Sequence, residues 1–138
     1  MVKARFFWGC LLLTALYGCV GTDPSEAAAR ERVEKFYEAL QNRQFEQALS
    51  FYDKTFFVRQ SPEDWRAYLE EVQTRLGRLK TTTLANVEVH TLFSGRQFMY
   101  TFDTTYDRGG ATETLVLFKK IDQDGIRIVA HHIDSAAL

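Results

Sequence analysis

Long apolar segments are scarce in this chain. Its 138 residues contain one, from Phe6 to Val20, which is shorter than the roughly 20 residues that a membrane-spanning helix needs. Cysteine is equally scarce, because Cys10 and Cys19 are the only two and both lie in that segment. The rest of the chain therefore cannot form an internal disulfide. A glycine-rich phosphate loop and a Gly-x-Ser-x-Gly motif are also missing, which excludes the common signatures of nucleotide binding and serine hydrolysis.

The apolar segment has the layout of a secretory signal peptide. Lys3 and Arg5 precede it, and no acidic residue occurs before Asp23. A short basic start followed by a short apolar core is typical of an exported protein rather than of a stable membrane span. An uncleaved anchor or a buried first helix is the alternative interpretation.

The segment closes on Leu16-Tyr17-Gly18-Cys19, which resembles the lipobox of bacterial lipoproteins. In that family a small residue precedes the cysteine, whose thiol accepts lipid after the signal peptide is removed. The resemblance implies a signal peptide at 1–18, a lipidated Cys19 with a short tether at 19–23, and membrane attachment through the acyl chains. Tyr17 departs from the pattern, since smaller residues usually occupy that position. Val20 follows the cysteine in place of aspartate, which the resemblance associates with export to the outer membrane.

Composition narrows the range of partners. Removal of residues 1–18 would leave 120 residues, with 15 basic and 18 acidic side chains and a formal charge of −3. That size suits one domain, here predicted at 24–138. The acidic balance argues against binding to nucleic acid.

Periodicity predicts three helices followed by four strands. Asp23 and Pro24 form a helix start, Asn42 ends that helix, and Ser61 and Gly77 bracket the third one. After Leu79 the apolar period changes to two, with strands expected near 82–93, 96–106, 111–121 and 126–134. The predicted fold is α+β, with three N-terminal helices packed on a curved four-stranded antiparallel meander sheet.

Closing the three predicted hairpins at Phe93–Arg96, Tyr106–Ala111 and Ile121–Ile126 sets which residues share a face of the sheet. An apolar set then faces the helices. So does a polar group near the end of the sheet, comprising Glu113, Asp134, His132, Thr104 and Tyr106. A β-bulge would reverse this assignment beyond the point where it occurs.

The order of elements resembles the nuclear transport factor 2-like superfold, a cone also seen in ketosteroid isomerases. More narrowly, the chain is similar to small bacterial lipoproteins that carry a domain of unknown function with this shape. The resemblance covers roughly 24–136 and rests on Trp65 to Gly77, on Thr112-Glu113-Thr114-Leu115, and on Ile128 to Ile133. It departs at Ile126, where many relatives have tryptophan. Because a superfold hosts unrelated functions, the resemblance implies a fold and not a reaction.

The polar group allows two interpretations. As a pocket, Glu113 or Asp134 would be a base, with His132 or Tyr106 as its partner, in an enzyme of isomerase or dehydratase type. As structure, the same residues would satisfy helix ends or one another, or reach solvent at the rim. His131 and His132 are adjacent on a strand and should point to opposite faces, so no metal site is predicted there and no cofactor is expected.

The opposite face of the sheet is predicted to be unusually apolar. Its candidates for an interface are Phe118, Val129, Val116, Ile133 and Met99. Contiguous apolar patches often mark contacts with other proteins, although scattered surface apolar residues are common.

These observations together predict a non-enzymatic lipoprotein of the bacterial cell envelope, anchored at the outer membrane and facing the periplasm. It would bind a protein partner or a second copy of itself through the outer sheet face, or a small ligand in the cone.

Overall fold

The computed structural model describes residues 23–138. The predicted signal peptide and Cys19 lie outside these residues. The helices are α1 (Pro24–Gln41), α2 (Phe45–Leu49) and α3 (Pro62–Leu76), with a short 3-10 helix at Lys54–Val58 between the last two. The strands are β1 (Leu79–Leu92), β2 (Gly95–Tyr106), β3 (Gly109–Lys120) and β4 (Arg127–Asp134). The predicted α+β fold is confirmed.

Both long helices begin and end where the sequence predicts. The Asp23 carboxylate accepts a hydrogen bond of 2.8 Å from the Ser25 amide, and α1 ends at the C-cap residue Asn42. The Ser61 hydroxyl caps α3 in the same way by accepting from the Asp64 amide at 3.0 Å. Each cap satisfies an amide that the first turn of a helix leaves unpaired.

The end of α3 depends on a glycine. Gly77 has a φ of 88°, and a Cβ at this position would lie 2.5 Å from the Cβ of Asp107. A side chain there would be strained by the backbone and blocked by the β2–β3 turn. The chain therefore reverses sharply from α3 into β1.

The four strands form one antiparallel sheet in the order β1-β2-β3-β4. In the first two hairpins residues pair with partners that lie two residues closer to the turn than their predicted partners. Val87 pairs with Tyr100 instead of Phe102, and Phe102 pairs with Glu113 instead of Leu115. Because a shift of two residues keeps each side chain on its own face, the predicted faces of β2 and β3 are correct.

The third hairpin contains the bulge that reverses the prediction. Leu117 pairs with Ile128, but the next residue of β3, Val116, pairs with Ala130, so that Val129 is left without a partner. From there on, every residue of β4 lies on the face opposite to the predicted one. His131 is opposite Leu115, and Ile133 is opposite Glu113.

The helices cover the sheet unevenly. The core lies between the helices and the inner face of β2, β3 and β4, and the edge of β4 is also covered by a parallel bridge from Tyr52 to Ile128. At the other edge, β1 is exposed along most of its length, including the helix-facing residues Leu84 and Val87. No helix within residues 23–138 is long and apolar enough to cross a membrane.

Candidate functional site

Glu113 lies in the middle of the core, on β3 and facing the helices. It pairs with Phe102 on one side and Ile133 on the other, and it is 0 % exposed. A buried carboxylate is costly unless hydrogen bonds replace its water. Its surroundings supply those bonds.

Four side chains contact the two carboxylate oxygens. Tyr106 donates to Oε1 at 2.5 Å, and the Thr104 hydroxyl lies 3.0 Å from the same oxygen. Tyr37 donates to Oε2 at 3.3 Å, and His131 Nε2 lies 3.2 Å from it. The Thr104 hydroxyl is also 3.0 Å from the Ala111 carbonyl, so these two acceptors share its single hydrogen.

His131 extends these contacts to a third tyrosine. Its Nδ1 lies 2.7 Å from the Tyr52 hydroxyl. The tautomer with hydrogen on Nε2 satisfies both sides, because Tyr52 then donates to Nδ1 while Nε2 donates to Glu113. The imidazole packs edge-on against Phe36 and Trp65, with ring centroids 5.6 Å away in each case. We call the set formed by Glu113, Thr104, Tyr106, Tyr37, His131 and Tyr52 the Glu113 network.

The network keeps its carboxylate ionised. Burial by itself raises the pKa of Glu113, but hydrogen bonds from His131 and from two hydroxyl groups lower it, and the net pKa is below the ordinary 4.5. Burial and the Glu113 charge raise the pKa of Tyr37 well above 10, and both also raise that of Tyr106. The tyrosines therefore remain hydrogen-bond donors at neutral pH.

This arrangement is suited to structure more than to proton transfer with a substrate. A general base needs a lone pair within hydrogen-bond reach of the proton that it removes. Both oxygens of Glu113 already accept from protein groups, and the side chain is fully enclosed. A substrate would reach it only if the core opened.

The structure brings together some of the predicted polar group and separates the rest. Thr104 and Tyr106 contact Glu113 as predicted. His132 and Asp134 do not, because the β4 bulge turns both outward, opposite Thr114 and Thr112. Their predicted place on the helix-facing side is wrong, and so is the assignment of His131 to the outer face.

Sequence reasoning missed Tyr37, Tyr52 and His131. Tyr37 lies on the buried face of α1, Tyr52 follows α2 at the bridge to β4, and the rings of both are part of the core. A buried tyrosine hydroxyl nevertheless needs a partner. The available sequence signal for the network was two core tyrosines whose hydroxyls need partners, together with a glutamate at a core-facing position of a strand.

The outer face of the sheet keeps four of its five predicted residues. Met99 and Val116 form a cross-strand pair, Phe118 follows on the same face of β3, and Val129 occupies the bulge beside it. All four are half-buried. Ile133 is an error in the prediction, because the bulge turns it into the core.

A second open surface lies on the helix-facing side. A groove of about 190 Å³ runs between α1 and β1, with Val33 and Tyr37 on one wall and Leu84, Tyr100 and Phe102 on the other. We call it the α1–β1 groove. Arg30, Glu34 and Thr82 form its polar rim. It exists because the helices leave β1 uncovered.

Metal ligands are not clustered in the part of the chain that the structure describes. Residues 23–138 contain no group of three or more histidine, cysteine, aspartate or glutamate side chains close enough to hold an ion.

The fold has a counterpart among solved structures. It is similar to Bd1075 of Bdellovibrio bacteriovorus, with a TM-score of 0.55 at 16% sequence identity. The similarity covers 81% of this chain and 42% of the Bd1075 chain, so this chain spans less than half of that protein. At such low identity the likeness establishes the fold alone. No family model and no curated protein matches the sequence.

Proposed function

We propose that the chain is a lipid-anchored lipoprotein of the bacterial cell envelope with a nuclear transport factor 2-like domain that binds a partner and catalyses no reaction. The address rests on the signal-peptide layout and on the lipobox-like Leu16-Tyr17-Gly18-Cys19. The domain type rests on three helices followed by a four-stranded meander, the order typical of that superfold.

One observation carries the choice of binding over catalysis. The best candidate for acid–base chemistry, Glu113, is sealed in the core, whereas apolar surface lies open elsewhere on the sheet. The isomerase or dehydratase alternative needs a carboxylate in contact with substrate. Binding needs only accessible surface of suitable chemistry.

Two surfaces are candidates for the contact. The outer face offers Met99, Val116, Phe118 and Val129, which suits a protein partner or a second copy of the chain. The α1–β1 groove, of about 190 Å³, suits a side chain of a partner or a small apolar ligand. Confinement to a membrane raises the local concentration, so even a weak contact would be occupied.

The binding experiment uses the full chain in its own membrane. Mild crosslinking, purification and mass spectrometry would be applied to the unsubstituted protein and to Phe118→Glu, Val87→Glu and Leu138→Glu. Val87 pairs with Tyr100, which lines the groove, and it is 38 % exposed, as is Leu138 at the C-terminus, which makes Leu138→Glu a matched control. We expect a crosslinked protein partner or homodimer that is lost in Phe118→Glu and kept in Leu138→Glu.

Loss in Val87→Glu alone would move the contact to the groove region. If all three variants and the unsubstituted protein gave the same monomeric species, the binding proposal would fail. The address is tested separately with Cys19→Ala, which should change both the processed size and the membrane fractionation. An unchanged size and fractionation would contradict the lipid anchor.

A further inference from the structure

The tips of the first and third hairpins form an exposed apolar patch. Phe93 in the β1–β2 turn is 104 % exposed, and Ile121 in the β3–β4 turn is 72 % exposed. Leu92 beside Phe93 is also exposed. The Ile121 amide donates to the Ser94 carbonyl at 3.1 Å, so the two turns are joined. We call Leu92, Phe93 and Ile121 the tip patch.

The described chain begins at the same end of the molecule. Arg96, two residues after Ser94, contacts the Asp23 carboxylate at 2.5 Å. It also binds the Ser25 hydroxyl at 2.7 Å and the Glu26 carboxylate at 3.1 Å. One side chain thus fixes the start of α1 next to the hairpin tips.

The distance to the predicted anchor is short. Cys19 precedes Asp23 by four residues, and four extended residues span at most about 14 Å. If Cys19 carries lipid, the end of the domain that contains Asp23 must lie close to the bilayer. Three of the large apolar side chains that the described domain leaves exposed, Leu92, Phe93 and Ile121, are at that end.

We propose that the tip patch inserts into the surface of the membrane to which the protein is anchored, so that the sheet is oriented with these hairpin tips toward the bilayer. The proposal rests on the proposed lipid anchor at Cys19. Aromatic and aliphatic side chains at loop tips can reach the boundary between headgroups and acyl chains, where burial of apolar area stabilises them. The orientation leaves the outer face and the α1–β1 groove accessible from the side.

Charge around the tip patch is balanced. Lys119 and Lys120 precede Ile121, and Asp122 and Asp124 follow it. Attraction to anionic lipid should therefore be weak, and contact should depend on apolar insertion. Raising the salt concentration should leave the contact unchanged.

The experiment measures quenching of tryptophan fluorescence by brominated lipids. Full-length protein with Phe93→Trp, Ile121→Trp or Leu138→Trp would be purified from bacterial membranes and reconstituted into vesicles. The vesicles would contain phosphatidylethanolamine and phosphatidylglycerol with brominated acyl chains. Leu138 lies at the opposite end, near Ser135, whose hydroxyl binds the Gly110 carbonyl at 2.7 Å. Native Trp65 is buried and Trp8 belongs to the predicted signal peptide, and the unsubstituted protein measures the background from both.

We expect the tryptophans introduced at 93 and 121 to lose most of their fluorescence, at low and at high salt, while the one introduced at 138 loses almost none. Equal quenching at the two ends, or none at either, would overturn the proposal and would leave a protein partner as the occupant of the tips. The mass of the Cys19 peptide from the same preparation tests the anchor independently. If Cys19 were unmodified but quenching were confined to the tips, the anchor would be contradicted and insertion of the tip patch supported. If Cys19 were lipidated but no quenching occurred, the anchor would be supported and insertion of the tip patch contradicted.

Discussion

The two faces of β3 reverse the usual relation between polarity and burial. On the inner face the ionised Glu113 is completely enclosed, whereas on the outer face the apolar Val116 and Phe118 remain partly exposed. The difference follows from partners. Glu113 is bonded by side chains from α1, β2 and β4, whereas within residues 23–138 Val116 and Phe118 are only partly covered. A charge is stable in a core when its bonds are complete, and apolar surface stays open when no element covers it.

The largest expected effect comes from removing the centre of the inner face. Glu113→Ala leaves His131 and three hydroxyl groups without their shared acceptor and opens a cavity. A buried donor left without its acceptor costs about 1–3 kcal/mol, and the cavity adds to that loss, so the free energy of unfolding should fall by about 3–5 kcal/mol. Urea unfolding followed by circular dichroism would measure the change.

The control is Asp134→Ala, an acidic residue of the same predicted group that faces outward on β4. A surface substitution of this kind should change the free energy of unfolding by less than about 0.5 kcal/mol. Equal losses in the two variants would mean that the bulge in β4 is misplaced.

A second comparison uses two adjacent histidines. His131→Ala removes a ring packed against Phe36 and Trp65 and leaves Tyr52 without an acceptor, which should lower the free energy of unfolding by about 3 kcal/mol. His132→Ala on the exposed side should be close to neutral. Thermal unfolding of both variants at neutral pH tests the face assignment directly, and the reverse order of stability would refute it.

The smallest effect is expected from pH. The pKa of Glu113 is lower in the folded chain than its ordinary value of 4.5, so between those two values the unfolded chain binds more protons. Its contribution to stability is therefore present above about pH 4.5 and is lost as pH falls through the folded pKa. Urea midpoints measured from pH 7 downward should fall more steeply below pH 4.5 for the unsubstituted protein than for Glu113→Gln. Parallel curves would show that Glu113 does not titrate in this way.

Much of the fold follows from the sequence because its signals are local. Asp23, Ser61 and Gly77 cap or end helices through atoms a few residues away, so their roles can be read from the chain itself. The alternation of apolar residues in β2 and β3 likewise survives an error of two residues in hairpin register. The order of helices and strands and the faces of β2 and β3 can therefore be predicted from the sequence pattern.

The site could be predicted only in part from the sequence, because its membership depends on Val129, which has no partner in β3. Val129 lies in the consecutive apolar run Ile128-Val129-Ala130, and two histidines follow it, so the sequence does not show at which residue the strand changes face. Because the bulge adds one residue, His131 takes the inward position predicted for His132, and Ile133 also points inward. Tyr37 reaches Glu113, and Tyr52 reaches His131, through tertiary packing, which periodicity does not encode.

The Glu113 network also has a consequence for the order in which the chain folds. The meander sheet can grow hairpin by hairpin, since each strand pairs with its neighbour in sequence. The network cannot, because Tyr37 and Glu113 are 76 residues apart and His131 belongs to the last strand. A carboxylate loses its water only when these partners are in place to replace it. Docking of α1 over a completed β4 should thus be the late step of folding, and a chain that stops short of β4 would keep Glu113 hydrated and its core open.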